Sequence, residues 1–88
     1  MRKITRKESG DDYTPVIHQH GKYRVIVCRD HLQWILQRRK GGPGSEWRGI
    51  SYCRTSASLI SKWSRLTGEI DPPALDCLPS RIEGGLAR

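Results

Sequence analysis

The sequence predicts an α+β fold: a three-stranded antiparallel sheet packed on one main α-helix, followed by a short C-terminal helical segment. Three observations carry that reading. Residues 23–29 and 32–39 fit a hairpin about Asp30-His31 in which Val25 meets Leu36 and Val27 meets Trp34, so the apolar side chains of both strands gather on one face. Trp47-Arg-Gly-Ile-Ser-Tyr-Cys-Arg reads as a third strand, 47–54, that feeds directly into a helix over 56–67. Within that helix Leu59, Ile60, Trp63 and Leu66 recur at the i, i+1, i+4, i+7 spacing that lines one face.

Taken in order, residues 1–12 are polar and charged with little to bury, and are expected to form a flexible basic arm. The stretch 13–19 admits two readings, a short edge strand at Pro15-Val-Ile turning at His20-Gly21 or an extended lead-in. In the hairpin, Tyr23 pairs with Arg38 and Arg29 with Leu32, which leaves Arg24, Ile26, Cys28, Gln33, Ile35, Gln37 and Arg39 on the reverse face. Arg38-Arg39-Lys40-Gly-Gly-Pro-Gly is too rich in Gly and Pro to continue a strand and makes a basic loop. Ile50 and Tyr52 are expected beneath the helix with Val25, Val27, Trp34 and Leu36, and Trp47, Ser51 and Cys53 on the opposite face. Thr55 or Ser56 caps the helix through its hydroxyl, and Gly68 stands where a left-handed residue closes it. Asp71-Pro72-Pro73 starts a second short helix, with Asp71 at its cap, that ends before Pro79; Leu75, Leu78 and Ile82 pack this tail onto the sheet or the main helix. The domain is thus expected over 13–82, with 83–88 a frayed tail.

The chain has 88 residues, and one small domain of this size leaves little room for an enclosed substrate cavity. Its net charge of +7 is unevenly spread, since residues 22–65 hold ten Lys or Arg against Asp30 and Glu46 alone, a net of +8. Clustered basic charge favours a polyanionic partner such as nucleic acid or an anionic membrane surface. No apolar run approaches the roughly 20 residues that span a bilayer, and the N-terminus carries no apolar signal segment, so a cytoplasmic protein without membrane association is expected.

Enzymatic chemistry finds few footholds. His18-x-His20 places two imidazoles on one side of an extended strand, but without further ligands nearby the pair is more often surface decoration than a metal site. Asp30-His31 is turn chemistry. The Gly-Gly-Pro-Gly loop lacks the Lys-Ser/Thr and helix start of a phosphate-cradling loop. Cys28, Cys53 and Cys77 are odd in number, with no Cys-x-x-Cys pair, and are expected as free, buried or half-buried thiols. No catalytic residue, metal or cofactor is expected.

The basic set is more informative. Arg24, Arg39, Arg48 and Arg54 fall on strands, Arg38 and Lys40 at the hairpin tip, and Lys62 and Arg65 on the polar side of the helix. Gln33, Gln37 and Trp47 stand among the strand positions. Arg and Gln side chains suit base edges and an indole suits stacking, whereas a basic small protein can also carry such charge as a plain solvated surface. Trp34 and Trp63 belong to the inward faces.

The order of strands and helix, with Trp34-Ile-Leu-Gln-Arg-Arg on the second strand and Trp47-Arg-Gly-Ile followed by Thr55, resembles the DNA-binding module of AP2-type plant factors and of some integrase N-terminal domains. The resemblance covers Tyr23 to Leu66. It implies that the sheet, not the helix, lies in the major groove and that exposed Arg and Trp side chains make the contacts.

Together these readings lead to an expected non-catalytic nucleic-acid-binding domain, with DNA favoured over RNA, such as a mobile-element accessory or regulator. Arg38, Arg39, Lys40, Arg54 and the arm would meet phosphates; Arg24, Gln33, Gln37, Arg48 and Trp47 would meet bases. The alternative is a protein-interaction module or homodimer that uses an apolar strip of Ile26, Ile35 and Trp47. A C-terminal tail covering that strip would weigh against the alternative.

Overall fold

In the computed structural model, which describes residues 8–10, 13, 15–42, 44–70 and 72–82, four strands precede the helix. They are β1 (Val16–His20), β2 (Tyr23–Val27), β3 (Trp34–Arg39) and β4 (Trp47–Cys53), followed by α1 (Ser56–Thr67) and α2 (Pro73–Asp76). The strands form one antiparallel sheet in the order β1-β2-β3-β4. The expected three strands are therefore joined by a fourth, and the open reading of residues 13–19 resolves as an edge strand that turns at Gly21 and Lys22.

The β2–β3 register agrees with the expected one, Tyr23 opposite Arg38, Val25 opposite Leu36 and Val27 opposite Trp34. The loop between them is longer than two residues. Cys28 N–H still donates to Gln33 O at 3.0 Å, but His31 takes a left-handed φ of 59° and its N–H folds back to Cys28 O at 2.9 Å.

Two faces of the sheet are buried, each by a different part of the chain. On one face Val25, Trp34, Leu36 and Cys53 pack against Leu59 and Trp63 of α1 and Leu75 of α2, with Leu78 and Ile82 at the margin. The tail thus closes the helix side. Thr55 caps α1 by accepting from Ser58 N–H at 3.3 Å, and Gly68 ends it at φ 83°, a left-handed value that costs a residue without Cβ little. At the start of α2 the capping position is held by Pro72, with no side-chain cap; Asp71 lies outside the described residues.

Three core assignments are corrected here. Ile50, Tyr52 and Leu66 are 41%, 57% and 42% exposed, whereas Cys53 is buried under the helix. In β4 the cause is a bulge: Leu36 pairs with Ser51 but Gln37 pairs with Gly49, so Ile50 is an extra residue in the strand. One inserted residue reverses the side on which every later side chain falls. Ser51 and Cys53 therefore turn toward α1, and Tyr52 turns to the far face, where its hydroxyl lies over Gly49 at about 2.5 Å from where a Cβ would stand.

The far face carries a second cluster of Tyr13, Ile26, Cys28 and Ile35. Residues 8–10 and Tyr13 lie across it. Trp47 N–H donates to Ser9 O at 2.9 Å, Arg29 N–H to a Glu8 carboxylate oxygen at 2.8 Å, and Tyr13 Oη to Val27 O at 2.8 Å. Burial, chiefly, raises the Tyr13 phenol above its ordinary pKa of 10.0. Residues 8–10 are thus held on the sheet, which corrects that part of the expected loose arm; positions 1–7, 11–12 and 83–88, to which the arm and frayed-tail expectations also apply, lie outside the described residues. Cys28 and Cys53 are buried free thiols, and Cys77 is free but exposed at the end of α2.

Candidate nucleic-acid interface

The nine residues expected at a nucleic-acid site divide by burial into three groups. Arg24, Gln37 and Trp47 are only 1%, 3% and 2% exposed. Arg24 donates through Nε to Gln37 Oε1 at 2.7 Å and through Nη2 to the carbonyls of Glu8 and Gly10 at 3.0 and 2.9 Å. Gln37 Nε2 donates to the same Glu8 carbonyl at 2.8 Å. The guanidinium carbons of Arg24 and Arg39 lie over the Trp47 ring, 4.3 and 4.6 Å from its centroid. These donors are spent inside the protein, so none of the three is a surface contact, and Arg39 and Gln33 are half-buried. The apolar strip of Ile26, Ile35 and Trp47 is likewise covered, by the N-terminal segment rather than by the C-terminal tail.

Arg38, Lys40, Arg48 and Arg54 remain exposed. Arg38 and Arg48 stand directly opposite each other across β3 and β4 on the helix side of the sheet. Like charges so placed oppose strand pairing, and neither forms an ion pair among the described residues. With Arg39, Lys40 and Ile50 they line a concavity of about 320 Å³. Lys62 and Arg65 of α1, with Ile50, Ser51 and Leu66, line another of about 320 Å³. Ile50 belongs to both. Sharing Ile50, the two concavities together make a basic groove from the β3–β4 hairpin to the last turns of α1, lined also by Ile50 and Leu66 and with no acidic residue among its described lining residues.

Lys62, Arg65, Ile50 and Leu66 were outside the expected site. The two basic residues were visible on the polar side of the helix, but only the bulge brings β4 beneath them, and nothing in the apolar pattern marks a bulge.

A separate polar cluster joins β1 to the end of α1. His18 Nε2 lies 2.8 Å and His20 Nδ1 3.4 Å from the two Glu69 carboxylate oxygens, and Trp63 Nε1–H donates to Glu69 Oε1 at 2.9 Å. The His18 and Trp63 rings meet edge-on at 5.3 Å. Glu69 is thus a third group beside the two histidines, yet no set of three His, Cys, Asp or Glu among the described residues is disposed to hold a metal ion. The cluster is a clasp. The hydrogen bonds from His18 and then Trp63 lower the Glu69 pKa below its ordinary 4.5. A depressed carboxylate stabilises the fold above its unfolded value, and that contribution is lost as pH falls through the folded one. Melting temperature should therefore drop on acidification below pH 4.5, and Glu69→Gln, which keeps an acceptor for Trp63 but has no charge to lose, should drop less over the same interval. Parallel acid limbs for the two proteins would refute the assignment.

No helix among the described residues is long and apolar enough to cross a membrane. Compared with protein-family models, curated proteins and solved structures, the chain has no significant match.

Proposed function

We propose that this protein is a non-catalytic nucleic-acid-binding domain that takes the phosphate backbone into the groove between the β3–β4 hairpin and α1. The observation that carries the reading is the facing pair Arg38 and Arg48. Two arginines at directly opposed strand positions, with no ion pair to either among the described residues, oppose strand pairing in the free protein, and a bound polyanion relieves the repulsion. Lys40, Lys62 and Arg65 extend the positive lining along the same groove.

In this reading the sheet face implied by the AP2-type resemblance does not dock as it stands, because residues 8–10 and Tyr13 lie across it. The contacts move to the opposite side of the same hairpin. Arg54, beyond the last strand, adds charge at the periphery.

The test is Arg38→Ala combined with Arg48→Ala. Affinity for DNA and RNA oligonucleotides should fall for every sequence alike, and the slope of log K against log salt should flatten by about 0.7–0.9 for each lost phosphate contact. Removing the repulsion should meanwhile leave the melting temperature unchanged or slightly raised. Unaltered affinity and slope in the double variant would refute the site, and a wild type that binds no oligonucleotide at low salt would refute the function.

A further inference from the structure

The groove's floor narrows the class of nucleic acid, given the reading just proposed. Ile50 and Leu66 are each about two-fifths exposed; Ile50 lines the concavity of the hairpin as well as that of α1, and Leu66 lines the latter beside Lys62 and Arg65. Exposed aliphatic side chains lose contact with water only if the ligand brings an apolar surface to them. A duplex presents phosphates and groove edges to such a site, its base faces being stacked inside. A single strand exposes base faces along with its phosphates, and each can be met separately by this lining. An anionic bilayer would also satisfy charge and apolar surface, but it is flat, whereas these residues lie in a concavity.

We infer that the ligand is single-stranded nucleic acid, held with its phosphates on Arg38, Lys40 and Arg48 at one end and Lys62 and Arg65 at the other, and with a base laid on Ile50 and Leu66. Because the floor is aliphatic, the contact is with whatever base face is presented. Sequence preference is correspondingly weak, and the base contact is independent of salt.

The experiment is a fluorescence-anisotropy titration of three probes at two salt concentrations: a labelled deoxythymidine 12-mer, a labelled blunt duplex of the same length, and anionic phosphatidylserine vesicles bearing a fluorescent lipid. The wild type should bind the single strand more tightly than the duplex. Ile50→Ser with Leu66→Ser should weaken single-strand binding about tenfold, leave its salt slope in place, and leave duplex binding as it was. Both positions are exposed, so the fold should survive. If the double variant melts early, the ranking of probes by the wild type decides alone. Equal or tighter binding of the duplex overturns the single-strand assignment while the nucleic-acid reading stands, as does a folded double variant that binds the single strand normally. Binding of vesicles but of neither oligonucleotide overturns both.

Discussion

Trp63→Ala should unfold a large fraction of the protein at physiological temperature. The indole is fully buried at the centre of the helix-side core, packed with Leu59 of its own helix, Trp34 and Leu36 of the sheet and Leu75 of α2. Its edge meets His18 at 5.3 Å and Tyr23 at 6.5 Å between ring centroids, so it touches β1 and β2 as well. Truncating a buried aromatic in this way costs about 3–5 kcal/mol, the lost transfer energy plus the cavity left behind. A small domain has only about 5–15 kcal/mol in total. The variant also removes the N–H that Glu69 accepts, which loosens the clasp on β1. Trp63→Phe separates the two contributions, since it keeps most of the ring but not the donor, and should lose about 1–2 kcal/mol. Chemical denaturation of the three proteins checks both values, and a Trp63→Ala midpoint equal to the wild type would refute the packing.

That core was largely legible in the sequence because its two strongest signals are local. The Val25–Leu36 and Val27–Trp34 pairs follow from an even number of residues between the strands, and the Leu59, Ile60 and Trp63 spacing follows from the helical period; neither needs knowledge of the rest of the chain. β4 was misassigned for an equally specific reason. Its apolar alternation runs unbroken through Ile50, where a bulge adds one residue, so that pattern puts Ser51, Tyr52 and Cys53 on the wrong faces together. The groove inherits its floor from that same bulge, so the site was less legible than the fold. β1 was ambiguous because an edge strand such as Val-Ile-His-Gln-His buries little and shows no clean alternation. The covering of the far face was invisible for a different reason, as the N-terminal segment docks largely through backbone carbonyls, which hydropathy does not register.

Arg24 gives that covering its sharpest test. As an exposed base contact, its replacement would weaken nucleic-acid binding and spare stability. As the buried strut seen here, it should do the reverse. Arg24→Ala strips hydrogen bonds from Gln37 Oε1 and from the carbonyls of Glu8 and Gly10, and removes a guanidinium from the Trp47 ring. The Glu8 carbonyl keeps its bond from Gln37 Nε2, but Gln37 Oε1 and the Gly10 carbonyl lose theirs from Arg24; at about 1–3 kcal/mol for each acceptor left without its donor, the loss should reach roughly 2–5 kcal/mol with incomplete additivity. Arg24→Lys keeps the charge but not the planar fork that serves three acceptors at once, and should recover only part of it. The damage should also be directional. With its anchor gone, the segment at residues 8–10 should lift first, exposing the Trp47 amide that donates to Ser9 and the Arg29 amide that donates to Glu8. Hydrogen exchange at those two amides should accelerate well before exchange within α1, whose cap at Thr55 and core at Leu59 and Trp63 lie on the other side of the sheet. Uniform acceleration across both faces would instead mean that the segment is no separate unit, and intact stability with lost oligonucleotide affinity would return Arg24 to the binding surface.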